Sequence, residues 1–500
     1  MPQINPYELR DFRKGTWRKS SVSESLVPEN SVSHSLNVNF DEIIGKAKVR
    51  PGTTRMGATV ATNRTPLGLH ELVTSGGETN ALIGVYSGVS NGTTYYFTGS
   101  AWAEATNTVL GISNTAKHRF ARLGGRSYRV NGAQEMSSSV DGVSWATTNT
   151  IGVAAGIFPS LVFRSKGRLL AAGANSTTSL GVNLRGRVYF SSVIDLNADP
   201  SLSWNINNDT GDWIDINPDD GSDLTGFAET SGLILIFKEN AMYRLNTVAK
   251  TVDTDNIFPF GARAQEGIVN CQGIVYYFSG YDIRRTNGGF PEQISRLGVQ
   301  DWIDAIPQSF WGDVSAGTDG INVYFSIGDV TLNQNQNNEK TYNNIELKFS
   351  PRDESWSVHS YADEFRFFAQ YTDSTNGRKM VGSDTDGDVQ RLNLGTTDNL
   401  GVINFELETQ EIEFGNRAHV KSVSDNIFIL TDNGLDSTFA VKAEDKDYKV
   451  LSNSMNKRVN KAKINSEGRW FTFKWFGQSQ NKPQIFEGFR VENITDRGTE

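Results

Sequence analysis

Five histidines, one cysteine and two turns rich in aspartate are the residues here whose types could hold a metal or run a reaction. Their spacing favours ordinary roles. His34, His70, His118, His359 and His419 lie far apart and show no metal-ligand interval. Asp384-Thr-Asp-Gly-Asp388 carries alternating carboxylates, but an EF-hand loop wants Gly at its sixth position and Glu at its twelfth. Here Gly387 is fourth and Gly395 twelfth, so the stretch reads as a solvated turn with opportunistic calcium as the alternative. Asp219-Asp-Gly-Ser-Asp223 reads the same way. Gly88-Val-Ser-Asn-Gly92 has the letters of a nucleophile elbow, yet that elbow needs a helix straight after the serine, and the strand-like Thr94-Tyr-Tyr-Phe97 follows instead. There is no GxxxxGK[ST] loop and no HExxH pair. Cys271 has no internal partner for a disulfide and fits a packed thiol before a buried strand. The expectation is a protein that is not an enzyme, with no catalytic residue, no metal ligand and no cofactor.

The other chemically marked stretch is basic. Arg13, Lys14, Arg18 and Lys19 crowd around Trp17. Such an arm could bind phosphate or pack along a neighbouring acidic surface, and these five residues are the candidate partner-binding site. The whole chain has a formal net charge of -9, which argues against a body-wide affinity for nucleic acid. The N-terminus lacks an apolar core of signal-peptide length, and no run approaches the roughly 18 apolar residues of a membrane helix. The expectation is a soluble protein made in a cytoplasm, with no membrane segment.

What would position these residues is a repeating β-structure. Residues 224–297 contain two turns of one pattern. Leu233-Ile-Leu-Ile-Phe237 is followed by a polar turn and Ala241-Met-Tyr-Arg-Leu245; Gly273-Ile-Val-Tyr-Tyr-Phe278 is followed by Ser279-Gly-Tyr-Asp282 and Ile283. Each is a hairpin in sequence form. Recurrence at roughly 40 residues matches a propeller blade. Similar groups, from 82–86 through 389–392, give six or seven blades with uneven lengths. Forty-eight glycines, 28 phenylalanines and only 21% charged residues suit that reading. Helix is nearly absent, with a turn or two expected at 301–306. The expected fold is all-β: a six- or seven-bladed β-propeller over 58–415, an extended N-terminal arm over 1–57, an additional β-sandwich-like domain over 416–484, and a closing strand with a loose tail over 485–500.

Two resemblances follow from these residues. Ser139, Asp141, Gly142 and Trp145 resemble the Asp-box turn of sialidase-like propellers, which marks a hairpin and not a catalytic site. More of the chain resembles the tail nozzle and head-to-tail stabilisation (tail tubular) proteins of tailed, mainly short-tailed, bacteriophages. The matching pieces are Val27-Pro-Glu-Asn30, Asn37-Val-Asn-Phe-Asp41, Gly45 and Arg50-Pro-Gly52; Arg187 to Ser192 through Trp213; Leu224-Thr-Gly226 and Leu233 to Glu239; Ile274 to Ile283 with Gln293-Ile-Ser295; Glu406 to Thr409; and Phe486-Glu-Gly-Phe489. The order of these pieces carries the likeness; the polar insertion 333–344 stands outside it. The resemblance implies a structural virion protein, nozzle or neck, repeated as a homo-oligomeric ring (a hexamer) about the DNA-ejection channel. It also implies docking to tail adaptor or tube proteins, with fibres as a further candidate partner, and DNA that passes without specific binding. An acidic wall suits such a passage, because a basic one would hold phosphates through counterion release. Two alternatives remain: a glycan-binding or glycan-cleaving propeller, sialidase-like or lectin, with Trp102, Trp145 and Trp204 as candidate platforms, and a cellular propeller scaffold.

Overall fold

In the computed structural model the described residues are 2–17, 27–60, 64–73, 80–107, 112–147, 156–176, 184–193, 203–204, 212–296, 298–335, 338–373, 377–399, 401–432, 437–444, 446–452, 454–479 and 482–499. Among them, seven sheets built on four antiparallel strands follow one another along the chain. Blade 1 begins at Pro66–Val73, blade 2 at Arg119–Leu123, blade 3 at Leu161–Ser165, blade 4 at Leu224–Thr230, blade 5 at Ile268–Cys271, blade 6 at Ser315–Thr318 and blade 7 at Phe365–Asp373. Each of these first strands lies beside the first strand of the next blade, and that of blade 7 returns to that of blade 1. The ring is closed, and the fold is a β-propeller.

The reason lies in the second strand of each blade. Arg168–Ala172, Leu233–Lys238 and Ile274–Phe278 are buried along nearly their whole length, so both faces need cover. A single four-stranded sheet cannot provide it. Apolar side chains therefore meet between adjacent blades: Leu169, Tyr128 and Tyr189 between blades 2 and 3; Leu170, Phe227 and Ile236 between 3 and 4; Phe237, Val275 and Tyr277 between 4 and 5. Leu69, Tyr86, Phe367 and Val381 seal the junction of blades 7 and 1.

Blade 7 has only three strands from its own stretch of chain; its outer strand is Thr54–Arg55, from the N-terminal region. Arg55 places its guanidinium 2.6 Å from the buried carboxylate of Asp388. The ring is thus fastened by a strand made before any blade.

The second body is a sandwich of two sheets. One contains Lys421–Asp432, Val459–Gly468, Ile485–Val491 and Ile494–Asp496; the other contains Ile403–Thr409, Phe471–Ser479, Ser437–Ala443 and Lys449–Ser452. Both take strands from the N-terminal region. Gln3–Ile4, Tyr7–Leu9, Val38–Asn39 and Ala47–Val49 join the first, and Val32–Leu36 joins the second. Phe439, Phe473, Phe486, Phe489, Phe405 and Trp475 fill the space between the sheets, with ring centroids 4.4–5.9 Å apart.

Three of the expected boundaries therefore change. The described residues of 1–57 are not a separate extended arm: their apolar residues, such as Val38, Phe40, Ala47 and Val49, are core of the sandwich. The sandwich begins before 416, since Glu406 and Leu407 pair with Phe476 and Trp475. The end of the chain is not loose, because Ile494–Asp496 pairs on one side with Gln3–Ile4 and on the other with Lys421–Val423. Strand pairing across more than 400 residues leaves no local trace in sequence. The polar insertion is a long hairpin, Val323–Asn335 with Asn338–Ser350, extending blade 6. Its Leu332 and Tyr342 are buried, and Tyr342 meets Trp302 and His34, which ties the propeller to the sandwich. Trp302 belongs to the α-helix Gln300–Asp304.

Candidate functional site

Of the residues singled out as arm chemistry, Arg13, Lys14 and Trp17 lie against the molecule's own surface. Arg13 donates to Asp11, with Nε 2.9 Å and Nη2 2.7 Å from Oδ2, so its charge is met two residues away. Trp17 is half-buried; its backbone N–H donates to the Val32 carbonyl and its own carbonyl accepts from Gln410. Lys14 and Trp17 line a small groove with Pro28, Arg285, Glu354 and Trp356. Arg18 and Lys19 lie outside the described residues.

The aspartate turns hold protein groups. Asp384 accepts from the Asp388 N–H at 2.8 Å and the Gln390 amide at 2.5 Å, and burial pushes its carboxyl up to about 7. Asp220 of the second turn accepts from Lys238, whose buried Nζ stands 2.6 Å away. Among the described residues no three His, Cys, Asp or Glu side chains are grouped so as to hold a metal ion. The Asp-box-like turn is a brace. Ser139 and Asp141 accept from the N–H groups of Gly142, Val143 and Ser144, and Trp145, 1% exposed, sits beneath it with Nε1 bonded to the Gly142 carbonyl. Trp102 bonds the Met56 carbonyl and packs on Phe97, and Trp204 packs against the core between blades 2 and 3. None of the three tryptophans is an open platform.

The converging groups are elsewhere, at the face of the propeller where the first strands start. Arg119 opens the first strand of blade 2 and reaches Glu266, just ahead of blade 5, through two parallel bonds of 2.7 and 3.0 Å. Its third nitrogen donates to the Ser160 carbonyl ahead of blade 3. The ion pair therefore spans the ring. Lys117 stands 2.9 Å from Asp313, ahead of blade 6, and Arg366 of blade 7 stands 2.9 Å from the same carboxylate. Arg366 also lies 2.8 Å from Glu364, an ion pair without hydrogen-bond alignment. Burial works against the charge on Glu266, but Arg119 and Lys117 overcome it and hold its pKa at about 2. Glu364 is the opposite case: burial dominates and lifts its pKa to about 7.

Arg119 and Glu266 also line a space of about 250 Å³ together with Leu69, Phe120, Val162, Ile268 and Phe367 from the first strands of the blades. Beside it, on the same face, runs a groove of about 410 Å³. Three arginines from three parts of the ring line it. They are Arg119; Arg185, in the turn Leu184–Gly186 before the third strand of blade 3; and Arg263, in the link from blade 4 to blade 5. Arg185 stands 3.2 Å from Asp223 and Arg263 stands 3.5 Å from Glu239, both in the same lining. Arg263 also lies over the rings of Trp311 and Tyr281, at 4.6 and 5.5 Å. Sequence reasoning passed over Arg185, Arg263, Tyr281 and Trp311. Each follows or precedes a strand by a few residues, and the one available signal was their shared position at strand starts.

No family model and no curated protein matches the chain. Solved structures do resemble it at low identity. The extracellular domain of a putative one component system from B. thetaiotaomicron shares 10% identity over 96% of this chain and 64% of its own, with a TM-score of 0.41. YCF48 from Cyanidioschyzon merolae shares 10% over 68% of this chain and 98% of its own, at 0.36. An exo-beta-1,3-galactanase from Phanerochaete chrysosporium, solved with galactose, shares 11% over 78% and 98%, at 0.27. Similarity this low carries no activity or partner across to this chain.

Proposed function

We propose that the protein is a structural subunit of a bacteriophage tail, nozzle or neck, and not a catalyst. The observation that supports this best is the path of the N-terminal 55 residues, which supply strands to both sandwich sheets and to the last blade. Two bodies stitched by one segment form a stiff unit, as a part that bears load in an assembly requires. The sequence resemblance supplies the assembly: a homo-oligomeric ring around a DNA passage, with tail components docked to it. The passage is then formed between subunits, since the Arg119–Glu266 pair bridges the middle of each propeller's ring. An antibody to the chain should decorate the tails of particles released by producing cells. Light scattering of the concentrated protein should show multimers of a ring. Undecorated particles together with a monomer at every concentration would overturn the proposal.

A further inference from the structure

We propose that the groove at the mouth of the propeller binds a neutral oligosaccharide. Its volume, about 410 Å³, is that of a ligand cleft. Its charges cancel: Arg119, Arg185 and Arg263 face Glu266, Asp223 and Glu239 in turn. An acidic ligand would have to displace a carboxylate from a guanidinium. A hydroxyl, being both donor and acceptor, can sit between the members of a pair, accepting from the arginine and donating to the carboxylate. At the Arg263 end stands an aromatic step. Trp311 and Tyr281 meet edge to face at 4.9 Å, and Tyr281 is 66% exposed although it lies in a tight turn between buried strands. An exposed ring offers the C–H face of a sugar an apolar surface beside polar groups that fix its hydroxyls. The site is independent of the ring-subunit reading, and either can fail without the other.

Titration calorimetry of the intact protein with maltohexaose, cellohexaose and chitohexaose, and with trimeric sialic acid as the acidic comparison, tests this. At least one neutral hexamer should bind saturably with a Kd of about 10 μM to 1 mM. Tyr281→Ala should weaken it by about tenfold or more, and Tyr281→Phe should keep it. Glu239→Gln should also weaken binding. Both positions are exposed enough for the variants to fold, which an unchanged melting curve verifies. Failure of all three neutral sugars, binding of the sialic acid trimer alone, or a Kd indifferent to Tyr281→Ala would each overturn the proposal.

Discussion

Single residues set the pH behaviour of this protein, and two buried carboxylates pull in opposite directions. His359 and Glu346 are fully buried where the N-terminal region crosses blade 6. His359 Nε2 lies 2.8 Å from Asn39 Oδ1, which must accept because the Asn39 amide nitrogen donates to Glu42. Burial and the nearby Arg50 and Lys348 keep the ring neutral, so its Nδ1 is left as an acceptor, 3.2 Å from Glu346. A protonated Glu346 fits that contact, and burial does raise its pKa from 4.5 to about 7. The folded pKa is above the unfolded one, so the stability it brings is complete below pH 4.5 and is lost as pH rises through 7. Glu346→Gln should therefore gain about 1–3 kcal/mol over the native protein at pH 8 relative to pH 5, read from urea unfolding at both values. Glu266 is the reverse. Its depressed pKa means stability present above pH 4.5 and lost as pH falls towards 2. Glu266→Ala strands Arg119 and should cost about 3–5 kcal/mol at pH 7, with much of that difference gone near pH 2.

Elements are held by register, and here glycine decides one position. Gly488 pairs with Leu430 at a φ of +127°, beside the register shift that skips Glu487 between Ile485–Val491 and Lys421–Asp432. A Cβ there would run into the carbonyl of Leu9 on the neighbouring N-terminal strand. Gly488→Ala should destabilise the chain by more than about 2 kcal/mol, measured by thermal melting, through loss of the Tyr7–Leu9 pairing. The blades were legible because their signals are local: Leu233 to Phe237 and Ile274 to Phe278 are apolar runs ended by turn residues, and the Asp-box-like turn lies within the short stretch from Ser139 to Trp145. The sandwich was legible only in part. Asn37, Asn39, Asp41 and Arg50 stood out as a pattern, yet nothing nearby revealed that Arg50 would be buried against Asn37, Asp398 and the Tyr361 ring. The mouth groove was hidden for the same reason: its arginines come from positions 119, 185 and 263, brought together by ring closure alone.

At the scale of the whole molecule, the propeller and the sandwich share their N-terminal strands and should not unfold separately. Tryptophan fluorescence and circular dichroism should report one coincident urea transition, although 500 residues would ordinarily give two. A chain cut after residue 415 should be insoluble: Val32–Leu36 and Ile403–Thr409 would keep each other, while Phe405 and Leu407 would lose Trp475 and the rest of their core. The pairing of Gln3–Ile4 with Ile494–Asp496 also has a bearing on biosynthesis. Gln3–Ile4 is synthesised ahead of all seven blades and finds Ile494–Asp496 only after they have been made. During that interval Ile4, Tyr7 and Leu9 are uncovered hydrophobic bait, so a slow or paused ribosome should raise the yield of aggregates, and a trigger-factor-like holdase should lower it.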